Sequence, residues 1–165
     1  MGETVGEAVA EARFYHLLRV PLERALPQLL ERCLARQWRA AVRLGSAERV
    51  AALDQHLWTY GERSFLPHGT VRDGDAELQP IWLTDGDDVP NGATVLFLAD
   101  GAEAEDTAPF DLVCDLFDGN DPEAVAAARE RWKRLREAGL TLTYWRQQAD
   151  GTWSEEARHD PKAPE

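Results

Sequence analysis

A three-layer α/β/α domain built on a mostly parallel sheet is the fold that this chain predicts, and three observations predict it. Through the first part of the chain, apolar runs of strand length alternate with segments of helical spacing, the order expected of strand, helix, strand units. Three further apolar runs then follow, each bounded by Gly, Pro or Asp clusters, with fewer helices between them. Finally, 165 residues suit one domain, which at this size buries about 70% of the surface its unfolded chain exposes. Strand, helix, strand connections should then run right-handed. No internal repeat is visible.

Ala12 to Leu18 reads as the first strand, closed by Pro21 at a helix start. Leu22, Ala25, Leu26, Leu29, Leu30, Cys33 and Leu34 recur at helical spacing, giving an amphipathic helix to about Gln37. Ala40 to Leu44 is a short second strand. Ser46 is placed to cap a second helix, with Val50, Leu53, Leu57 and Trp58 as candidates for its buried stripe. After Gly61 the chain is loop-like to about Leu78, with Pro67, Gly69 and Gly74 as breakers. Ile81 to Leu83, Thr94 to Ala99 and Phe110 to Phe117 are the next strands. Asp121 as N-cap, Pro122 in the first turn and Gly139 as terminator frame the best-defined helix. Leu140 to Trp145 is the last strand, so 13–147 forms the domain, 1–12 a flexible extension and 148–165 a loose tail.

Composition is that of an ordinary globular protein, 44% hydrophobic and 29% charged. The longest apolar run, around Val95 to Leu98, is far too short to span a bilayer. The N-terminus carries acidic residues where a secretory signal would be basic. A cytoplasmic location without membrane attachment is therefore expected. Cys33 and Cys114 fall inside apolar patterns with no ligand-spaced His or Cys, and read as buried, reduced thiols.

A net charge of −12 argues against strong direct binding to a nucleic-acid backbone. The charge is uneven. From Arg72 to Asp111, eleven acidic residues face one basic residue. In the octet from Arg129 to Arg136 the balance reverses, with Arg129, Arg131, Lys133, Arg134 and Arg136 against Glu130. A basic island around Trp132 suits a small anion or a peptide, being too small to follow a duplex.

Catalytic patterns are poorly represented. No Gly-x-Gly-x-x-Gly follows the first strand and no Gly-rich Lys-Ser/Thr loop occurs anywhere, so the expected fold is Rossmann-like without a nucleotide-binding loop. The first turn is Arg19-Val20-Pro21, where Pro removes a donor. Ser64 and His68 sit four apart without a Gly-x-Ser-x-Gly elbow, and loop capping suits Ser64 better. Asp85, Asp87 and Asp88 lack the spacing of a calcium loop and read as a solvated acidic face. No cofactor and no metal site are expected. Along the last helix, Val125, Ala128, Trp132 and Leu135 form an apolar stripe, with Arg129, Lys133 and Arg136 on the adjacent face. Trp132 thus falls at the border of core and basic face.

Three stretches carry a resemblance. They are Phe14-Tyr15 in the first strand, the block Leu53 to Gly69 with its Leu-Asp, Leu-Trp and Ser-Phe-Leu-Pro-His, and Arg129-Glu130-Arg131-Trp132-Lys133 followed by Ala138-Gly139. In order and register these resemble the chi subunits of the bacterial DNA polymerase III holoenzyme, across roughly residues 13 to 145. The resemblance implies a non-catalytic accessory subunit of the clamp-loader complex. Such a subunit binds the acidic C-terminal tail of single-stranded-DNA-binding protein (SSB), which ends in Phe, and links it to the replisome in DNA replication. It implies a tail pocket of Trp58, Phe65, Phe117, Arg129 and Trp132, with Lys133 and Arg136 attracting the acidic residues upstream, and a psi subunit as second partner. Trp132 stands where the family commonly has Tyr. Two other classes remain open: a small α/β enzyme acting on a nucleotide or other anion at the strand C-termini, and a scaffold between the polymerase and a helicase.

Overall fold

In β1 (Glu11–Leu17), side chains alternate between two buried clusters: Ala12 and Phe14 join one, Tyr15 and Leu17 the other. The two-residue period of an extended chain dictates this, so β1 is covered on both faces. The computed structural model describes residues 10–61 and 66–161. After β1 come α1 (Leu22–Ala35), β2 (Ala40–Arg43), α2 (Ala47–Thr59), a 3-10 turn (Ala76–Leu78), β3 (Ile81–Thr84), β4 (Val95–Leu98), β5 (Leu112–Asp118), α3 (Pro122–Glu137), β6 (Thr141–Gln147) and β7 (Trp153–His159).

The seven strands form one sheet in the order β3-β2-β4-β5-β1-β6-β7. All neighbours are parallel except β6 and β7. Every residue of β2, β3 and β4 is buried, as expected for short parallel strands with both faces covered. Leu26, Leu30, Leu53 and Leu57 bring α1 and α2 onto one face with Tyr15, Val42 and Leu116. Ala128, Val125, Trp132 and Leu135 bring α3 onto the other, against Phe14, Val113 and Leu142. The three-layer α/β architecture is therefore present, with a mostly parallel sheet.

Local chemistry fixes the helix ends where the residue types place them. The Ser46 hydroxyl accepts from the Arg49 amide at 3.2 Å, and the Asp121 carboxylate from the Glu123 amide at 3.0 Å. Gly139 ends α3 at φ 92°, a left-handed conformation that glycine adopts without a Cβ penalty. Pro27 lies inside α1 and lacks the N–H that would bond the Glu23 carbonyl. His56 of α2 donates to that carbonyl at 2.6 Å, so the gap in one helix becomes a tie to its neighbour.

The polar segment expected as a loose tail contains β7. Its anchor is Trp153, which packs edge-on against Tyr15 at 5.1 Å. Asp150 accepts from both the amide and the hydroxyl of Thr152 at the hairpin turn. The strand is otherwise half or fully exposed, so it carries no apolar alternation by which to be recognised. Cys33 and Cys114 are buried and free, and burial pushes both thiols up, Cys33 to about 11. No helix among the described residues is long and apolar enough to cross a membrane.

Candidate functional site

Helix α3 is fixed on the sheet by an ion pair inside the core. Arg131 donates from Nε to Asp115 at 2.5 Å and from a second nitrogen at 3.1 Å, with both side chains almost fully buried. Burial pushes the Asp115 carboxyl up while the guanidinium opposes it, and the bidentate geometry is that of a carboxylate. The octet therefore does not present one uniform basic face. Arg131 points inward, Arg134 bonds Glu103 at 2.9 Å, and Lys133 reaches Glu130 at 3.5 Å. Arg129 and Arg136 are exposed and have no ion-pair partner among the described residues.

With Arg131 inward, Trp132 lies half-buried along the β1 and β6 side of the helix. Its ring meets Phe14 edge-on at 5.4 Å and Tyr144 at 6.1 Å. Tyr144 in turn lies 6.0 Å from Phe117 and 5.7 Å from His16, and His16 lies 5.2 Å from Phe117. Phe117 is 5% exposed, so it is a floor beneath this aromatic shelf and not an open wall.

Two groups absent from the expected set shape the shelf. His16 Nδ1 is hydrogen-bonded to the Tyr144 hydroxyl. Burial and the neighbouring Arg146 hold the imidazole below its ordinary value of 6.5; a backbone hydrogen bond with Gly119 opposes them, Arg129 adds to the lowering, and Asp118 opposes it. Burial moves the Tyr144 phenol up, against the charges of Arg146 and Arg129. A neutral imidazole thus accepts from a protonated phenol, which fixes the Tyr144 ring beside Trp132. Gly119 approaches so closely that a Cβ there would lie 2.1 Å from the His16 Cδ2. The shelf is therefore an aromatic surface flanked by the guanidinium groups of Arg129 and Arg146. Such a surface can bury an aromatic side chain and pair bidentately with a carboxylate.

Phe65 and Ser64 fall outside the described residues. Trp58 is 46% exposed and so is not part of the buried stripe of α2. It leans on His68 at 4.4 Å, and His68 is held by the Asp54 carboxylate and the Leu66 carbonyl. Because α2 and α3 cover opposite faces of the sheet, Trp58 does not meet Arg129, Trp132 or Phe117. A groove of about 350 Å³ runs along the exposed face of α2, between Val50, Ala51 and the 82%-exposed Val71.

A cleft of about 920 Å³ opens at the C-terminal ends of the parallel strands, where doubly wound folds hold ligands. Its furnishing is mixed. Arg49 is tied to Asp100 at 2.8 Å and Glu23 at 3.1 Å, and Asp118 and Asp121 line the same space. The amides of Arg19 and Val20, which a phosphate would need, both donate to the Gln147 Oε1 at 3.0 Å. No group of three or more potential metal ligands occurs among the described residues. Asp88 of the acidic triplet accepts from Trp82 and Thr84.

The family model described as "DNA polymerase III chi subunit, HolC" matches residues 9–143. A Rickettsia prowazekii (strain Madrid E) protein named "Probable DNA polymerase III subunit chi" is 31% identical over 84 residues, covering 51% of this chain and 51% of that protein. That alignment spans about half the length of the relative.

Proposed function

This chain belongs to the DNA polymerase III chi subunit family, and from that premise we propose that it is a non-catalytic accessory subunit of the clamp-loader complex that binds the acidic C-terminal tail of SSB and so links SSB to the replisome. The observation that carries this reading is the juxtaposition of Arg129, without an ion-pair partner among the described residues, and the shelf of Trp132 and Tyr144. A peptide ending in Phe offers a ring and a carboxylate on one residue. The shelf receives the ring and Arg129 the carboxylate, with Lys133 and Arg136 drawing acidic residues from solution.

Calorimetric titration with an acidic peptide ending in Phe tests this. Arg129→Ala should weaken binding by about tenfold or more, the worth of a charge-assisted hydrogen-bond pair, and removal of the terminal Phe should have a comparable effect. Trp132→Ala should also weaken it, whereas Trp58→Ala, on the other layer, should leave the affinity unchanged. Full affinity in Arg129→Ala would overturn the reading.

Trp58 and Val71 are exposed on this other layer, beside a groove of mixed character in which Val50 and Ala51 stand with Asp54, Arg72 and Asp85, and we propose this surface for the contact with a psi-type subunit. The enzyme reading would use the strand-end cleft. The Gln147 oxygen on its turn amides and the carboxylates tying Arg49 both favour the binding reading over it.

A further inference from the structure

The last turn of β6 and the β1 to α1 connection enclose a groove of about 410 Å³ beside the aromatic shelf. Arg19 and Arg146 line it together with Asn120, Gln147 and Gln148, and no carboxylate is among its lining residues. In a chain of net charge −12, two guanidinium groups and three carboxamides without an acid form an anion-favouring surface. The neighbouring strand-end cleft has four acidic residues, Glu23, Asp100, Asp118 and Asp121, in its lining.

We propose that this groove is a second subsite of the tail-binding surface, in which Arg19 and Arg146 take the carboxylates of acidic residues that precede the terminal Phe. The proposal rests on the tail-binding reading above and extends it.

Continuity with the shelf comes from the β1 to β6 ladder. His16 pairs with Arg146 and Phe14 with Tyr144, so Tyr144 and Arg146 project from the same face of β6, two residues apart. Arg129 approaches the same two groups, His16 and Tyr144, from α3. The cations therefore run in sequence from Arg129 on the helix, through Arg146 on the strand, to Arg19 on the turn. Arg19 has no ion-pair partner among the described residues. Arg146 meets Glu156 only at 4.0 Å, with both side chains about half exposed, which leaves donors of its fork open to a ligand. The turn carrying Arg19 is held in place by Gln147, whose oxygen accepts from the Arg19 and Val20 amides.

The test uses the full chain, two peptides and three variants. Both peptides end in Phe with a free carboxylate; one carries Asp residues upstream and the other Asn at the same positions. The wild-type chain should prefer the Asp peptide by roughly threefold or more, the combined worth of two exposed charge pairs. An Arg19→Ala/Arg146→Ala chain should lose most of that preference, binding the two peptides with nearly equal affinity. If it keeps the full preference while Arg129→Ala loses both peptides, the groove is no subsite, although the tail reading stands. If the preference vanishes only in Lys133→Ala/Arg136→Ala, the upstream acids lie along the helix, and the proposal is overturned. Retained affinity in Arg129→Ala would remove the tail reading and the groove with it. Circular dichroism melting of each variant separates loss of contact from loss of fold.

Discussion

His16 occupies the point where strand, loop and helix meet, and its chemistry sets the posture of the shelf. Its folded-state value is lowered from 6.5, so the unfolded chain takes up the proton first. The stability this group contributes is complete above pH 6.5 and is lost as pH falls below that value and through the lower folded one. Denaturation midpoints measured from pH 7.5 to 5 should decline in the wild type, and His16→Gln should remove that decline. Glu23 and Asp88, whose carboxyls are held low, titrate beneath this window. An identical pH profile in both proteins would rule the mechanism out. That Arg129 and Trp132 lie side by side was legible because they share one short motif and one helical turn. His16 and Tyr144 were not, since they stand 128 residues apart and only the pairing of β1 with β6 brings them together. Trp58 was misplaced for a related reason: its motif gave residue types without saying which side of the sheet its helix would cover.

At the scale of elements, α3 depends on one internal contact. Arg131→Ala would leave the Asp115 carboxylate buried without its partner and should cost about 3–5 kcal/mol in urea denaturation. The double change Arg131→Met/Asp115→Leu should recover most of that loss, because two apolar groups of similar volume need no partner. A loss below 1 kcal/mol in the single variant would mean that the pair does not hold the helix. This contact was readable in principle: Asp115 interrupts the apolar run of β5, and an acid inside a buried strand requires a cation. The caps at Ser46, Asp121 and Gly139 were legible because capping is local chemistry. Strand β7 was not, since an edge strand with most of its surface in water resembles a polar tail, and one ring contact from Trp153 to Tyr15 distinguishes them.

For the whole molecule, β7 closes one edge of the sheet, and removing it should have consequences beyond the residues lost. A chain ending at residue 147 would expose the hydrogen-bonding edge of β6 and uncover Tyr15, losing about 1–2 kcal/mol of apolar burial. Sedimentation should then report larger species than for the full chain at equal concentration, with a lower melting temperature. Unchanged size and melting would show that β7 is an ornament of the fold. The sheet also separates the exposed Trp58 from the half-buried shelf of Trp132. Trp58 lies on the layer of α1 and α2 and Trp132 on that of α3, with the sheet between them. Two guests on opposite sides of such a body do not compete for space, so occupancy of one face leaves the other open. On the proposed tail reading, a weak hold at the shelf becomes an intramolecular event once a partner anchors the second face, with an effective concentration near millimolar for a short flexible tether. Modest affinity at the shelf is thereby compatible with long residence on a shared assembly, and with release as soon as the second anchor lets go.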